Sequence, residues 1–404
     1  MEYNLKKLIV YRNLLEDEII KNLQKKQFNN PLFLGKIINW AENNGIQGNV
    51  IEKYILEKLS KDDNIFTRNA DIGSVIGESL LSIVTKDLKS IVSFIKNINL
   101  SIDDSCLLKK YSPSNPQDNN LLDKFAKILL SKGEPQSITQ QIYKFHTQYS
   151  FGIMSDYQAF VWKPQQGLVG VVNKQLDSFD KLVGYEYQKT VLRENTQAFL
   201  KGLPANNVLL FGDRGTGKSS SIKALVPEYA DQGLRLIEVP KTDFGQIPEI
   251  MATLSKYGRK FILILDDLSF ERFEIEYKQL KSYMEGTLEQ KPHNVLIYAT
   301  SNRRNIINET WEEQQGEEIH VRDSINERTS LVDRFGIKIY YESPGQEAYF
   351  KIVEALAKRN NLQIPTDILR AEANKWQMCS SGRSGRIAKS FINHLLAENA
   401  KNSC

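Results

Sequence analysis

Eight consecutive residues constrain this chain more than any others. Gly212-Asp213-Arg214-Gly215-Thr216-Gly217-Lys218-Ser219 fits the pattern GxxxxGK[ST]. They follow the apolar run Val208–Phe211 and precede Ser220–Leu225, a plausible helix start. Strand, loop and helix in that order are the context the pattern needs. Glycines at 212, 215 and 217 let the backbone curl so that its N–H groups, with those of Arg214, Thr216 and Ser220, point inward. The helix N-terminus adds partial positive charge for an anion. In such a loop Lys218 reaches the β- and γ-phosphates of a nucleotide, and the Ser219 hydroxyl ligates Mg²⁺. The bland alternative, a Gly-rich turn between strand and helix, leaves the Lys-Ser pair without a purpose.

A second motif stands downstream. The apolar run Phe261–Leu265 ends in Asp266-Asp267. This is the Walker B pattern, in which Asp266 holds Mg²⁺, directly or through water. Asp267 sits where a general base orients an attacking water. Many ATPases carry Glu at this second position. Asp is one methylene shorter, which predicts slow turnover. Glu271, four residues on, is a solvated helix residue or an assistant to that chemistry.

The chain around these motifs divides in two. Its 404 residues suggest about 2 to 3 domains. Residues 1–150 read as helical. Leu8, Tyr11, Leu15, Ile19 and Leu23 recur at steps of three and four, as do Ile51, Ile55 and Leu59, and Leu121, Phe125 and Leu129. These stripes are packing faces. Tyr111–Asn120 is a loop, with two prolines and several turn formers, and residues 151–180 form a connector, its centre near Lys163–Gly170. From about 181 short apolar runs alternate with helical segments: Asn207–Phe211, Leu234–Val239, Phe261–Leu265, Val295–Thr300 and Ile337–Tyr341. Runs rich in Val, Ile and Leu suit strands buried on both faces of a parallel sheet. Residues 181–343 therefore predict an α/β nucleotide-binding domain, and 344–404 a helical tail with helices near Ala348–Lys358 and Arg386–Glu398.

Composition narrows the function classes. The net charge is +4, from 53 basic and 49 acidic residues, too small to argue for nucleic acid. Residues 1–175 carry all of it, with 22 basic against 18 acidic, and lack an interleaved aromatic platform. No run of about 18 apolar residues predicts a membrane span, and the N-terminus is unlike a secretory signal. Three distant cysteines, Cys106, Cys379 and Cys404, encode neither a disulfide framework nor a zinc site. A cytoplasmic protein is expected, in which the glycosylation match at Asn308 is chance.

Further motifs carry a family resemblance. Ile297–Asn302 resembles sensor 1 of AAA+ ATPases, whose Asn positions the lytic water. Residues 330–336, from Ser330 to Gly336, resemble the AAA+ segment whose arginine, here Arg334, acts as a finger on a neighbouring subunit's nucleotide. Residues 381–388 resemble sensor 2, with Arg386 a better match than Arg383. Leu182-Val183-Gly184-Tyr185-Glu186 resembles the segment that packs around adenine. The runs LVGYEYQK, ANNVLLFGDRGTGKSSSIKAL, EEIHVRDSINERTSLVDRFG and GRSGRIA together resemble a bacterial ATP-binding family, domain of unknown function 815. The resemblance covers about 180–390, is weaker around Phe160–Trp162, and hardly reaches the first 140 residues.

The resemblance implies an AAA+ core with a parallel five-stranded sheet, a C-terminal helical lid, ATP and Mg²⁺. It implies catalytic roles for Asp267, Asn302, Arg334 and Arg386, and assembly into a homo-oligomer through a trans arginine finger. It names no substrate. The expected activity is ATP hydrolysis that remodels or loads a macromolecule, with a protein client favoured over DNA. An ATP-binding switch or scaffold with little turnover is the alternative, as is a DNA-associated loader. A P-loop kinase is disfavoured, because sensor and finger motifs have no task in a monomeric kinase. His320, Asp323 and Glu327 fit a metal site poorly, since no second His or Cys is near. Trp311–Glu318 reads as a solvated acidic insertion. Arg303 and Arg304 are surface residues or part of an inter-subunit charge network.

Overall fold

The computed structural model describes residues 5–26, 30–101, 107–172, 176–268, 280, 284, 292–302, 331–380 and 382–402. These fall into two compact units: Met1–Asp156 with Lys256–Arg259, and Tyr157–Ser255 with Lys260–Cys404.

The first unit is helical: α1 (Glu18–Gln24), α2 (Pro31–Asn44), α3 (Val50–Ser60), α4 (Ile65–Ile72), α5 (Glu78–Ser101), α6 (Asn120–Leu129), α7 (Pro135–Tyr149) and α8 (Ile153–Asp156). Short side-chain caps start many of them. Asp17, Asn30, Asn49, Asn64 and Asn119 each accept a backbone N–H of the following first turn. Asp17 also explains why the stripe from Leu8 to Leu23 is not one helix. Its extended backbone begins α1 anew, and the residues before it form short 3₁₀ turns, Leu5–Lys7 and Arg12–Leu15. Leu8, Tyr11, Ile19 and Leu23 are nevertheless buried, so the stripe marks the core correctly. The buried Asp87 of α5 accepts the N–H groups of Ile9, Val10 and Tyr11 and anchors that segment. Ile51, Ile55, Leu59, Phe125 and Leu129 join the same apolar cluster.

The second unit holds a seven-stranded sheet: β1 (Ala159–Lys163), β2 (Gly167–Gly170), β3 (Val208–Gly212), β4 (Leu234–Glu238), β5 (Lys260–Leu265), β6 (Val295–Ser301) and β7 (Ile337–Tyr341). Their order is β2-β1-β4-β5-β6-β3-β7. All neighbours are parallel except the β1–β2 hairpin. The expected five strands are therefore five of seven. The two extra ones lie inside residues read as connector, including Lys163–Gly170. β1 alternates buried Phe160 and Trp162 with half-buried Val161, and Trp162 Nε1 donates to Gln246 Oε1 at 2.6 Å. β2, Gly-Leu-Val-Gly, is only half-buried and too short to show a period.

Helices flank the sheet: α9 (Glu186–Leu200), α10 (Lys218–Lys223), α11 (Leu225–Tyr229) and α12 (Ile247–Leu254). The lid follows as α13 (Gln346–Arg359), α14 (Thr366–Met378) and α15 (Gly385–Asn402), with its own cluster of Tyr349, Val353, Ala388, Phe391 and Ile392. Every residue of β6, and all of β5 after Lys260, is buried, as apolar parallel strands require. The connection after β3 runs to β4, past β6 and β5, while that after β6 leads to β7 on the far side of β3. Connections thus part between β3 and β6, where open α/β sheets bind ligands outside the strands' carboxyl ends.

Candidate nucleotide site

The loop after β3 occupies that switch point. Gly212 has φ +125°, and a Cβ there would stand 2.2 Å from the carbonyl oxygen of Tyr341 on β7. Only glycine fits so close a backbone approach. Gly215 and Gly217 are also left-handed, at φ +76° and +94°. The loop is fixed from within, where Thr216 Oγ1 donates to Asp213 O, and from β7 and the residues after it, where the Asp213 N–H donates to Tyr341 O and the Ser343 N–H to Asp213 Oδ2. Gly217 is followed directly by α10, so Lys218, Ser219 and Ser220 form its first turn.

Lys218 is 5% exposed, and its ammonium donates to Gly212 O at 2.9 Å and Asp213 O at 2.6 Å. Burial pushes its pKa down to about 8, against the pull of Asp213, Asp266 and Asp267. Ser219 Oγ donates to Asp266 Oδ1 at 2.5 Å, and Thr300 Oγ1 donates to the same oxygen at 2.5 Å. A hydroxyl and a carboxylate meeting at the end of a phosphate loop form a hard oxygen donor pair, which suits Mg²⁺.

Asp267 has left-handed backbone, φ +56°. Its N–H donates to Thr300 Oγ1, Asn302 Nδ2 donates to its Oδ1, and Lys241 Nζ stands 3.6 Å from its Oδ2. Asp266, Asp267 and Asn302 are thus brought together by the carboxyl ends of the adjacent strands β5 and β6. Thr300 ties the two acids, a role the sequence reading did not assign it. Lys241, just beyond β4, was also missed, because nothing in its local pattern marks it.

One cavity of about 750 Å³ collects most of these residues. Arg214 through Ser221 line it beside Asp266, Asp267, Thr300 and Asn302 from the ends of β5 and β6. Leu182, Val183, Tyr185 and Lys189 also line it, and the lid contributes Ile352, Leu356, Arg359, Arg386 and Lys389 among others. Tyr185 is left-handed at φ +63°, donates to Glu342 O at 2.7 Å, and has its pKa raised to about 12 by burial. Gly184, at φ +80°, shapes that turn without lining the cavity. The buried Lys189 donates to Glu186 Oε1 at 2.8 Å and to Leu182 O.

The two arginine candidates for the lid separate here. Arg386 lines the cavity, whereas Arg383 Nε donates to Gln377 Oε1 at 3.0 Å and stays outside it. Arg334 is exposed, precedes β7 and is not part of the cavity wall. Its neighbour Asp333 pairs with Lys338 at 2.9 Å. Glu271, Arg303, Arg304, Ser330, residues 308–318 and the set His320, Asp323 and Glu327 lie outside the described residues, as do Cys106 and Cys404.

A family model described as "Protein of unknown function (DUF815)" matches residues 155–399, more than half of the chain. The chain belongs to this family. The match begins within α8, just before β1, so the hairpin is part of the DUF815 region and helices α1 to α7 are not. No curated protein matches the chain. Similar solved structures include a RuvB mutant from Thermotoga maritima, 17% identical, with a TM-score of 0.37, covering 54% of this chain and 64% of that one. The Thermotoga maritima RuvB Holliday junction branch migration motor is 14% identical, with a TM-score of 0.35, over 55% of this chain and 74% of that one. Likeness of this degree says nothing of what the DUF815 chain acts on. Among the described residues, no helix is long and apolar enough to cross a membrane.

Proposed function

We propose that this chain binds Mg-ATP in the cavity, hydrolyses it, and couples the cycle to work on a macromolecular partner. The observation that carries the reading is the convergence of Lys218, the Ser219–Asp266 pair and the Asp267–Asn302 pair at one end of one cavity. Phosphoryl transfer asks a protein mainly for positioning and charge neutralisation. Ser219 and Asp266 would hold Mg²⁺, which would supply positive charge against the phosphate oxygens. Lys218 adds its own charge when the phosphates displace the two carbonyls it now holds. Asp267 and Asn302 orient the attacking water, and Arg386 approaches from the lid. Leu182, Val183, Ile352 and Leu356 offer apolar walls to the base.

A second reading has an observation of its own. The carboxylate of Asp267 is shorter than Glu and already engaged by Asn302 and Lys241. That favours a switch which holds ATP and turns it over slowly. Arg334, exposed and off its own cavity, is free to reach a neighbour's site, which supports a homo-oligomer with a trans finger. A protein client is favoured over DNA because the charge is nearly balanced. Binding to single- and double-stranded DNA across salt concentrations tests the latter, since phosphate contacts weaken steeply with salt.

Calorimetric titration of Mg-ATP into the full chain, followed by phosphate release, tests the main reading. Binding with turnover supports the ATPase, and binding without it supports the switch. Absence of binding at millimolar magnesium removes both.

A further inference from the structure

Residues 179–185 touch two apolar clusters of the second unit. Phe179 is buried in the cluster against the sheet, and Leu182 and Tyr185 pack on it. Val183 packs on the lid cluster instead. One bond fastens this stretch to the region around the end of β7, Tyr185 Oη to Glu342 O, and Gln188 Nε2 of α9 just after it donates to Tyr340 O at 2.9 Å. The lid side is held differently. Arg359, the last residue of α13, donates from Nη1 to Lys181 O at 2.6 Å and from Nη2 to Asp180 O at 2.5 Å.

The chemistry of that contact is specific. Asp180 and Lys181 belong to a 3₁₀ turn, Phe179–Lys181, and the carbonyls at a turn's end lack partners within it. A guanidinium presents a rigid fork of donors that spans two successive carbonyls, which a lysine ammonium on its flexible stem does not. Arg359 is exposed, so water competes for both bonds and the contact is reversible. Its position gives it consequence. Ile352, Leu356 and Arg359 of α13 line the cavity together with Leu182, Val183 and Tyr185. α13 also packs on α15, which carries Arg386 and Lys389.

We infer that Arg359 is a positioning residue, a strap between the lid and the loop 179–183 that holds α13 and Arg386 at the nucleotide cavity. It acts through the lid and has no part in the chemistry. The strap itself rests on the geometry alone, and its effect on nucleotide rests on the reading of the site given above.

Electron spin resonance distances test it in the full chain. One nitroxide is carried by the native exposed Cys379 beyond α14, the other by Tyr187→Cys on α9, a position 75% exposed. Cys106→Ser and Cys404→Ser remove the other thiols. Without nucleotide, Arg359→Ala is expected to broaden the distance distribution, and Arg359→Lys to fall between it and the parent. Mg-ATP affinity by calorimetry is expected to weaken roughly tenfold in Arg359→Ala, as loss of a charge-assisted contact implies. A nucleotide-free distribution for Arg359→Ala that superimposes on the parent's overturns the strap. A broadened distribution with affinity within about twofold of the parent's overturns its link to the cavity. If the distribution broadens while the parent itself binds no Mg-ATP, the strap stands and the nucleotide reading fails.

Discussion

Lys218 faces a conflict that a nucleotide would resolve. Its ammonium is buried against two carbonyl oxygens, and that burial brings its pKa down to about 8. Phosphate oxygens favour the charged form, so binding should raise that pKa. Below pH 7 the ammonium is already charged and binding takes up almost no proton. Above pH 8 binding must recruit one, and apparent affinity should fall by roughly tenfold per pH unit until the bound-state pKa is reached. Calorimetry at pH 7 and pH 9, in buffers of different ionisation heat, reads the proton directly. Lys218→Ala should weaken binding roughly 100-fold and abolish the uptake. Uptake that is equal at both pH values, or that survives in Lys218→Ala, would assign the proton elsewhere. Most of this site was legible as sequence, because the phosphate loop and the acid pair are contiguous words at the ends of apolar runs. Thr300, Lys241 and Arg359 were not, since each is defined by what the fold brings beside it: Asp266, Asp267 and two carbonyls of a distant turn.

Single elements carry constraints that no side chain reports. In the loop after β3, Gly212 and Gly217 both have left-handed backbone, yet only Gly212 lies against another strand. Gly212→Ala should therefore add a clash with β7 to the backbone strain, while Gly217→Ala, with open space around its Cβ, meets strain alone. Each strained position costs about 1–3 kcal/mol, and Gly212→Ala should exceed Gly217→Ala in urea denaturation. Equal losses would mean that β7 yields. Helix α7 offers a pH-dependent counterpart in the other unit. His146 is fully buried among Phe125 and Phe145, its Nδ1 is 3.1 Å from Ser150 O, and its Nε2 has no partner among the described residues. Burial pushes its pKa down to about 4, although the Ser150 carbonyl opposes the shift. The unfolded chain, with an ordinary value near 6.5, takes up this proton first. Stability contributed by the neutral ring is thus present above about pH 6.5 and is lost as pH falls toward 4, by about 3 kcal/mol. Urea midpoints at pH 7 and pH 5 should diverge in the parent and converge in His146→Gln. The same elements show where pattern reading succeeds. The apolar runs of β3 to β6 were recognisable as strands because both faces are largely buried; β7 is buried on one face only, with Lys338 and Tyr340 exposed, and β2 escaped because four half-buried residues with glycine at each end hold no period.

At the scale of the whole molecule, the sequence resolves a parallel sheet, a lid and a helical N-terminal region, but it stops at the edge of one chain. Arg334 belongs to that edge. It is exposed, it does not line the cavity of its own chain, and Asp333 is paired with Lys338, so the adjacent acid is already engaged. An arginine held this way costs little to present to a neighbour, because among the described residues no ion pair of its own must break. If it completes the adjacent site, activity depends on assembly, since a finger supplied in trans raises turnover by roughly 10³ to 10⁵. Specific activity should then climb with protein concentration and level off where assembly is complete. Arg334→Ala should keep Mg-ATP affinity and lose the climb. An equal mixture of Arg334→Ala with Lys218→Ala should recover part of it, because each chain retains what the other lacks. The decisive measurement is phosphate release per chain across concentration, beside light scattering with and without a slowly hydrolysed ATP analogue. Hydrolysis by Arg334→Ala that matches the parent at every concentration would place the residue outside the chemistry. Any assembly seen in scattering would then serve another end.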